Sequence, residues 1–466
     1  MLGAFLAFTL CFGLAACGPA PNADTSSSAE HVHSFDDSWG MNAIGHWRTC
    51  TGCKEKLEYA KHSGGNAKCG AKNECEVCGK EYGSPVGHGY GDVKDTENGK
   101  AYVCDDCGDT QLLADLVDFV VEAEEGDAPV ILQLTDPQIM STAEAESKCY
   151  SYIRETIQAT QPDLIIVTGD LTYGKFDTAD GKIFTDYVNF MESFQIPWAP
   201  VFGNHDNECP KGVDWQCQVL ETAQYCLFEQ RDLTGNGNYS VGVLQGNNLL
   251  RVFYMLDSNG CSEASGASIK GKNGIKTSNG FAEDQISWYS KSMQALKKVD
   301  ADVKISMAYH IQTTDFFTAY TKYEEFDTRL ASDGKSYKNP LFLDQMETAQ
   351  DGDVGFLGRP AKGAWNSTHS HNALVTLGVD SIFVGHEHCN SASVLYKGIR
   401  YQYGQKSSTY DRYNALTTAG SIVGAYDSGH SAGSVPLIGG TAFSLSKEDG
   451  SIENPYIYYC GNPFGN

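Results

Sequence analysis

Five short apolar runs in this chain each stop at a small cluster of carboxylate, amide or imidazole side chains, and that repeated juxtaposition constrains the fold more than any other feature. The clusters are Asp136-Pro137-Gln138, Gly169-Asp170, Gly203-Asn204-His205-Asp206, His310 and Gly385-His386-Glu387-His388. The runs before them, Val130 to Thr135, Leu164 to Thr168, Trp198 to Phe202, Val303 to Ala308 and Ser381 to Val384, are too short for helices and read as buried strands. Helical spacing follows the first two, from Ala143 to Ala159 and from Lys182 to Phe194. A further strand at Leu250 to Leu256 leads into a helix at Glu283 to Lys298. This alternation predicts an α/β domain with mostly parallel central strands, whose functional residues gather beyond the strands' C-terminal ends. The scattered clusters are therefore expected to meet at one sheet edge, with glycines before the polar residues letting the backbone turn sharply.

Carboxylate, amide and imidazole together suit hard to borderline divalent or ferric ions. In this order and spacing the clusters resemble the calcineurin-like metallophosphoesterases, a family that includes purple acid phosphatases and many phosphodiesterases. The resemblance covers roughly residues 130 to 405 and implies a four-layer α/β sandwich, two mixed sheets flanked by helices. It further implies two catalytic metal ions drawn from manganese, iron and zinc. Asp136 and His388 are then ligands of the first, Asp170 the bridging carboxylate, and Asn204, His310 and His386 ligands of the second. His205 resembles the histidine that protonates the leaving oxygen, with Asp206 orienting or polarising its imidazole. Two adjacent ions lower the pKa of the water between them and neutralise phosphate charge, which permits in-line attack on phosphorus.

Gln138 departs from the family's common first motif, Asp-x-His, although some branches carry Gln there. A neutral amide oxygen is a harder and weaker donor than imidazole, so it favours an oxygen-loving ion such as manganese. Tyr173 offers a competing account, because Gly169-Asp170-Leu171-Thr172-Tyr173 matches the GDxxY of purple acid phosphatases, whose tyrosinate binds ferric iron. Against it, the purple branch usually has glycine where Gln138 stands. The GNHDNE stretch, with Asn207 and Glu208 following His205-Asp206, looks closest to the Dcr2-like branch of bacterial and fungal phosphatases. Asp257 reads as a loop-capping acid, Arg400 and Lys406 as solvated bases, and His369 and His371, near Trp365, as surface histidines.

The cysteines fall into two groups. Cys50-Thr51-Gly52-Cys53, Cys75-Glu76-Val77-Cys78 and Cys104-Asp105-Asp106-Cys107 repeat one short geometry, in which two thiolates three positions apart can share a tetrahedral ion. This repeat resembles a zinc ribbon. One structural zinc is expected on Cys50, Cys53, Cys75 and Cys78, and a second on Cys104 and Cys107 with some of Cys69, His62, His88, His31 or His33. Disulfide pairing is the alternative in an oxidising compartment. Cys149, Cys209, Cys217, Cys226, Cys261, Cys389 and Cys460 lack the spacing, and one or two disulfides are expected among them.

Met1 to Ala16 is apolar or small and ends in Leu14-Ala15-Ala16-Cys17, which resembles the lipobox of bacterial lipoproteins with Cys17 as the lipidated residue. That stretch is too short to span a bilayer and carries no Lys or Arg. Residues 18–30, rich in Ser, Pro, Asn and Ala, fit a flexible tether. A Cys/His module is then expected over 31–110, a helix at Gln111 to Val121, an acidic linker to Ala128, and the catalytic domain over 129–466. The formal net charge of -25, with no basic run, disfavours a protein that grips nucleic-acid backbones. The expected activity is hydrolysis of phosphate monoesters outside the cytoplasmic membrane. A phosphodiesterase or nucleotide hydrolase with the same centre is the second reading, and a non-catalytic surface-binding lipoprotein the third, which the His205-Asp206 pair disfavours.

Overall fold

The computed structural model describes residues 31–140, 143–260, 269–270, 276–277, 280–323, 341–343, 352–357, 371–407, 415–416, 422–423 and 435–463. Cys17, Cys261, Trp365 and His369 lie outside them. Contacts divide the chain into two compact units, with the boundary between Gly87 and His88.

The first unit is built from short hairpins whose turns carry the Cys-x-x-Cys pairs. Strand Gly45–Thr49 pairs antiparallel with Lys56–Lys61, and Asn73–Glu74 with Glu81–Tyr82. In both turns the first cysteine's N–H donates to the carbonyl five residues on, Cys50 to Glu55 at 2.8 Å and Cys75 to Lys80 at 2.9 Å. Each turn closes through a left-handed residue at the fourth position after that cysteine, Lys54 (φ 65°) and Gly79 (φ 70°).

The third pair does not belong with them. Cys104 ends the strand Gly99–Cys104, which lies between Tyr90–Thr96 and Thr110–Leu112 in a three-stranded sheet of the second unit. Val93 and Tyr102 of that sheet enter the second unit's core, and the Tyr102 hydroxyl donates to Asp300 at 2.9 Å. The helix expected at Gln111 to Val121 is also absent: a 3₁₀ turn at Leu113–Asp115 is followed by a strand from Phe119. Val120 and Val121 are β-branched, and pairing with a strand at the sheet edge overrides the local helical spacing.

The remainder of the second unit has strands β1 (Phe119–Ala123), β2 (Val130–Leu134), β3 (Leu164–Thr168), β4 (Trp198–Val201), β5 (Tyr239–Gln245), β6 (Asn248–Met255), β7 (Lys304–Ala308), β8 (Val379–Val384), β9 (Ser393–Tyr396), β10 (Ile399–Tyr403), β11 (Gly439–Leu445) and β12 (Ile452–Tyr459). Its helices are α1 (Ala143–Thr160), α2 (Lys182–Glu192), α3 (Val213–Thr222), α4 (Glu283–Val299), α5 (Thr314–Tyr320) and α6 (His371–Thr376). One sheet has the order β4-β3-β2-β11-β12 and the other β9-β10-β8-β7-β6-β5-β1. Strands β2, β3 and β4 run parallel, as do β6, β7, β8 and β10, while β11, β12, β5 and β9 add antiparallel pairs.

The sheets pack face to face, with Phe383 of β8 stacked on Phe443 of β11 at 5.1 Å between ring centroids. Side chains of α1, α2 and α3 join the core of the first sheet, and those of α4, α5 and α6 join the core on the far side of the second. This is the expected α/β architecture of two mixed sheets flanked by helices. Arg251 of β6 is fully buried and spans both sheets. Its guanidinium makes two bonds to Asp380 on β8, at 2.5 and 3.0 Å, and further bonds to Ser306 and Ser381. Its Nε donates to the Gly450 carbonyl in the turn between β11 and β12.

Candidate metal centre

The strand ends that carry the five clusters lie level. Leu134 of β2 pairs with Val167, Thr168 of β3 with Val201, and Ala308 of β7 with Phe383. Just past these ends the backbone turns through the left-handed region at Asp136 (φ 50°), Gln138 (φ 46°), Asp170 (φ 53°) and His386 (φ 69°), none of them glycine. Each such residue costs about 1–2 kcal/mol, and hydrogen bonds hold them there. The Asp136 N–H donates to Gly169 O at 3.1 Å, the Gln138 N–H to Asp170 O at 2.9 Å, and the His386 N–H to Asp136 Oδ2 at 3.0 Å. Gly203 and Gly385 are required by proximity, since a Cβ at either would stand 2.2 Å from Asp170 Oδ1 or 2.0 Å from Thr135 Oγ1.

Seven predicted side chains converge here. His388 Nε2 lies 3.0 Å from Asp136 Oδ1 and 3.3 Å from Gln138 Nε2, which is 3.0 Å from Asp170 Oδ2. On the other side, His310 Nε2 is 3.3 Å from Asp170 Oδ2 and 3.1 Å from Asn204 Oδ1. Asn204 Oδ1 is in turn 2.9 Å from His386 Nδ1. Asp170 thus stands between two groups of donors. His310 Nδ1 is occupied by the Thr168 carbonyl at 2.8 Å, a partner that aims the Nε2 lone pair inward.

Oxygens and imidazole nitrogens face one another at hydrogen-bonding distance with few protons to share, a donor set suited to cations. Asp136, Asp170 and His388 place their ligand atoms within 4.8 Å of one another. Gln138 Oε1 is buried and has no hydrogen-bond partner among the described residues. The electrostatics agree. Burial opposes a charge on His310, but Asp170 and Asp136 outweigh it and push its pKa up to about 9. Burial and the adjacent His310 charge push His386 down to about 3. Burial raises Asp170 as well, yet His310 and His205 hold it well below the usual carboxylate range.

Asp206 does not reach the role expected of it. Its carboxylate is buried beneath the loops, accepting from the Thr172 N–H at 3.1 Å and the Gly203 N–H at 2.7 Å. Burial and the Asp170 charge push its pKa up to about 8. The carboxylate that meets His205 is Glu208, whose Oε2 lies 3.0 Å from Nδ1. Adjacent residues in a tight turn point apart, whereas positions three apart in the 3₁₀ turn Asp206–Glu208 that His205 caps share a face. The Tyr173 ring lies 4.0 Å from that of His205, tilted 44° to it, and its hydroxyl accepts from Lys175 Nζ at 2.8 Å.

The other candidates serve the framework. Asp257 accepts from the Asn236 and Asn259 N–H groups, each at 2.8 Å, as a loop cap does. Arg400 donates to Ser393 and lies 3.7 Å from Asp353. Lys406, expected in solvent, is buried beside Thr135 where the strand end bridges to it. His371 lies against the Tyr401 hydroxyl and the Lys397 carbonyl.

The first expected cysteine group differs from its expectation. Cys50 and Cys53 do not join Cys75 and Cys78. The first pair gathers with His31 and His33, and the second with His46 and His62. The second group gathers as expected: in the second unit Cys107 meets His88 Nδ1 at 3.4 Å, beside Cys104. No disulfide joins any two of the described cysteines. Of those outside the pairs, Cys149 meets the Pro137 and Ser407 carbonyls and Cys460 that of Tyr152, whereas Cys209 meets the Asp177 carboxylate and Cys217 the Gln230 side-chain carbonyl.

Comparison with known proteins places this arrangement among relatives. A probable inactive purple acid phosphatase (29) of Arabidopsis thaliana is 27% identical over 285 residues, 54% of this chain and 61% of the relative. Phosphatase DCR2 of Saccharomyces cerevisiae is 25% identical over 260 residues, 53% of this chain and 39% of the relative. The chain therefore matches less than two thirds of either relative's length. Among solved structures, a dimetal phosphatase from Danio rerio aligns with a TM-score of 0.38 at 10% identity, covering 69% of this chain and 94% of that one. The family profile described as calcineurin-like phosphoesterase matches residues 129–390, more than half of the 466. With the strand-end clusters inside that span brought to one place, the chain belongs to the calcineurin-like phosphoesterases.

Proposed function

We propose that this chain is a metal-dependent hydrolase of phosphate monoesters that acts outside the cytoplasmic membrane, held there by a lipid on Cys17. The observation that carries the catalytic reading is the crowding of acceptor atoms around Asp170 beside a histidine with its own carboxylate. Asp136, Gln138, Asp170 and His388 would hold one divalent or trivalent cation, and Asp170, Asn204, His310 and His386 the other. Bound there, such a pair neutralises phosphate charge and lowers the pKa of a water. Tyr173 is assigned to the wall beside His205 rather than to a cation.

The chain's own part is to hold and move a proton. Glu208 fixes the His205 tautomer by taking the Nδ1 side, which leaves Nε2 to protonate the departing oxygen. The His205 side chain is 20% exposed, enough to meet a substrate, while Tyr173 on its face limits its swing. Asp206 keeps the loops after β3 and β4 fastened, so that Asp170 and Asn204 stay opposed.

His205→Ala is expected to slow turnover by roughly 10²–10⁴-fold, with the larger loss for esters of poor leaving groups. Glu208→Gln should cost about 10–100-fold with KM little changed, and Asp206→Asn should act mainly on stability. Equal slowing across a leaving-group series would remove the proton-donor role.

For substrate class, the metal-loaded protein should release phosphate from p-nitrophenyl phosphate at least about tenfold more efficiently than it cleaves the bis ester, a difference of roughly 1.4 kcal/mol. Chelation should end activity and manganese restore it. A preference for the bis ester would replace the monoester reading with a diesterase. The small residues before Cys17 and the polar stretch after it support the anchor, and a mature N-terminus without lipid at that cysteine would exclude it.

A further inference from the structure

The two hairpins of the first unit fit cations of their own. We propose that residues 31–87 bind two zinc ions separately, one on His31, His33, Cys50 and Cys53 and the other on His46, His62, Cys75 and Cys78. The proposal is independent of the catalytic reading.

Packing gives the first reason. In this unit the buried apolar residues among those described are Cys50 and Cys75, and the buried polar ones are His46 and His62. Ile44 at 64% and Tyr59 at 56% exposure lie outward, and Phe35, Trp39, Trp47, Leu57 and Tyr82 are only half-buried. A segment this small, with no large apolar side chain fully buried among its described residues and no disulfide between its described cysteines, requires another source of cohesion, and metal binding supplies it. What is buried here is the ligand set itself.

Geometry gives the second. In a tetrahedral zinc site with ordinary bond lengths, the nitrogen-to-sulfur edge is about 3.6 Å. Observed separations are 3.1 Å for His31 Nε2 to Cys50, 3.5 Å for His33 Nδ1 to Cys53, 3.6 Å for His46 Nδ1 to Cys75 and 3.4 Å for His62 Nδ1 to Cys78. Within each group of four, all ligand atoms lie within 4.8 Å of one another. His62 is also oriented as a ligand would be: its Nε2 donates to the Asn42 carbonyl at 2.9 Å, so the Nδ1 lone pair points at Cys78. The matching turns, with Lys54 and Gly79 left-handed, direct both thiols of each pair to one side.

The test is zinc content of the full-length protein under native mass spectrometry, for the wild type, Cys50→Ser/Cys53→Ser, Cys75→Ser/Cys78→Ser and the four-fold variant. Two separate sites predict the loss of one zinc in each pair variant and of two in the four-fold variant. A single shared four-cysteine site predicts one zinc lost in all three, which would overturn the proposal, as would no loss in any. Should the variants fail to fold, cobalt exchange of the wild type decides. Two ions each carrying thiolate-to-cobalt absorption are expected in residues 31–87, mapped by protection of their cysteines from alkylation. Cysteines found joined as disulfides in the native protein would refute the sites.

Discussion

Asp170→Asn is expected to lower kcat/KM by about 10⁴-fold or more, a loss above roughly 5 kcal/mol, while leaving the protein folded. Asn keeps the shape of a side chain that accepts the His205 N–H at 2.8 Å and faces both Gln138 and His310. What it removes is the one negative charge common to both groups of donors. Metal analysis alongside phosphate release checks this, with both cations weakened together. An Asp170→Asn protein that holds two catalytic cations and works within about tenfold of wild type would show that the carboxylate is not shared.

The second large effect concerns stability. Asp380→Ala should cost about 3–5 kcal/mol, because it leaves the fully buried Arg251 guanidinium without its counter-charge. Ser306, Ser381 and the Gly450 carbonyl remain as hydrogen-bond partners but cannot neutralise it. The less buried member of the pair is thus the more damaging one to remove. Arg251→Met/Asp380→Ala, which removes both charges, should recover a large part of the loss. Denaturant unfolding of the single and double variants measures this. An Asp380→Ala protein within about 1 kcal/mol of wild type would mean that water already reaches the guanidinium.

Much of the catalytic unit was legible because its central strands are short apolar runs closed by chemically distinctive residues. The bounds expected for Leu164 to Thr168 match the strand to the residue, and those of the neighbouring strands and helices to within two or so. Elements that carry no ligand cluster gave no such punctuation. Strands β11 and β12, with Gly439-Gly440 at the start of one and Pro455 within the other, escaped notice, although β11 lies beside β2 at the sheet's centre. Phe119–Ala123 is not legible locally as a strand, because its fate depends on pairing with Tyr239–Gln245, more than a hundred residues away.

At the site, residue types and order gave the seven converging side chains, but adjacency misled in two places. Asp206 stands next to His205, but the i,i+3 spacing to Glu208 holds the usable signal. The cysteine pairs looked like partners because they resemble each other. The informative spacing was instead from each pair's second cysteine back to a histidine, 20 residues for Cys53 and His33 and 16 for Cys78 and His62.

Asp136, Asp170 and Asn204 hang from the sheet containing β2, β3 and β4, whereas His310, His386 and His388 hang from the sheet containing β7 and β8. The centre is therefore a clasp across the seam of the sandwich rather than a feature of either half. Neither sheet alone could assemble it, and a slip of one sheet along the other by an ångström would spoil every distance between ligands of opposite sheets at once. Catalytic competence in such a molecule is a property of the docked pair, which makes turnover a sensitive gauge of how well the two layers are seated.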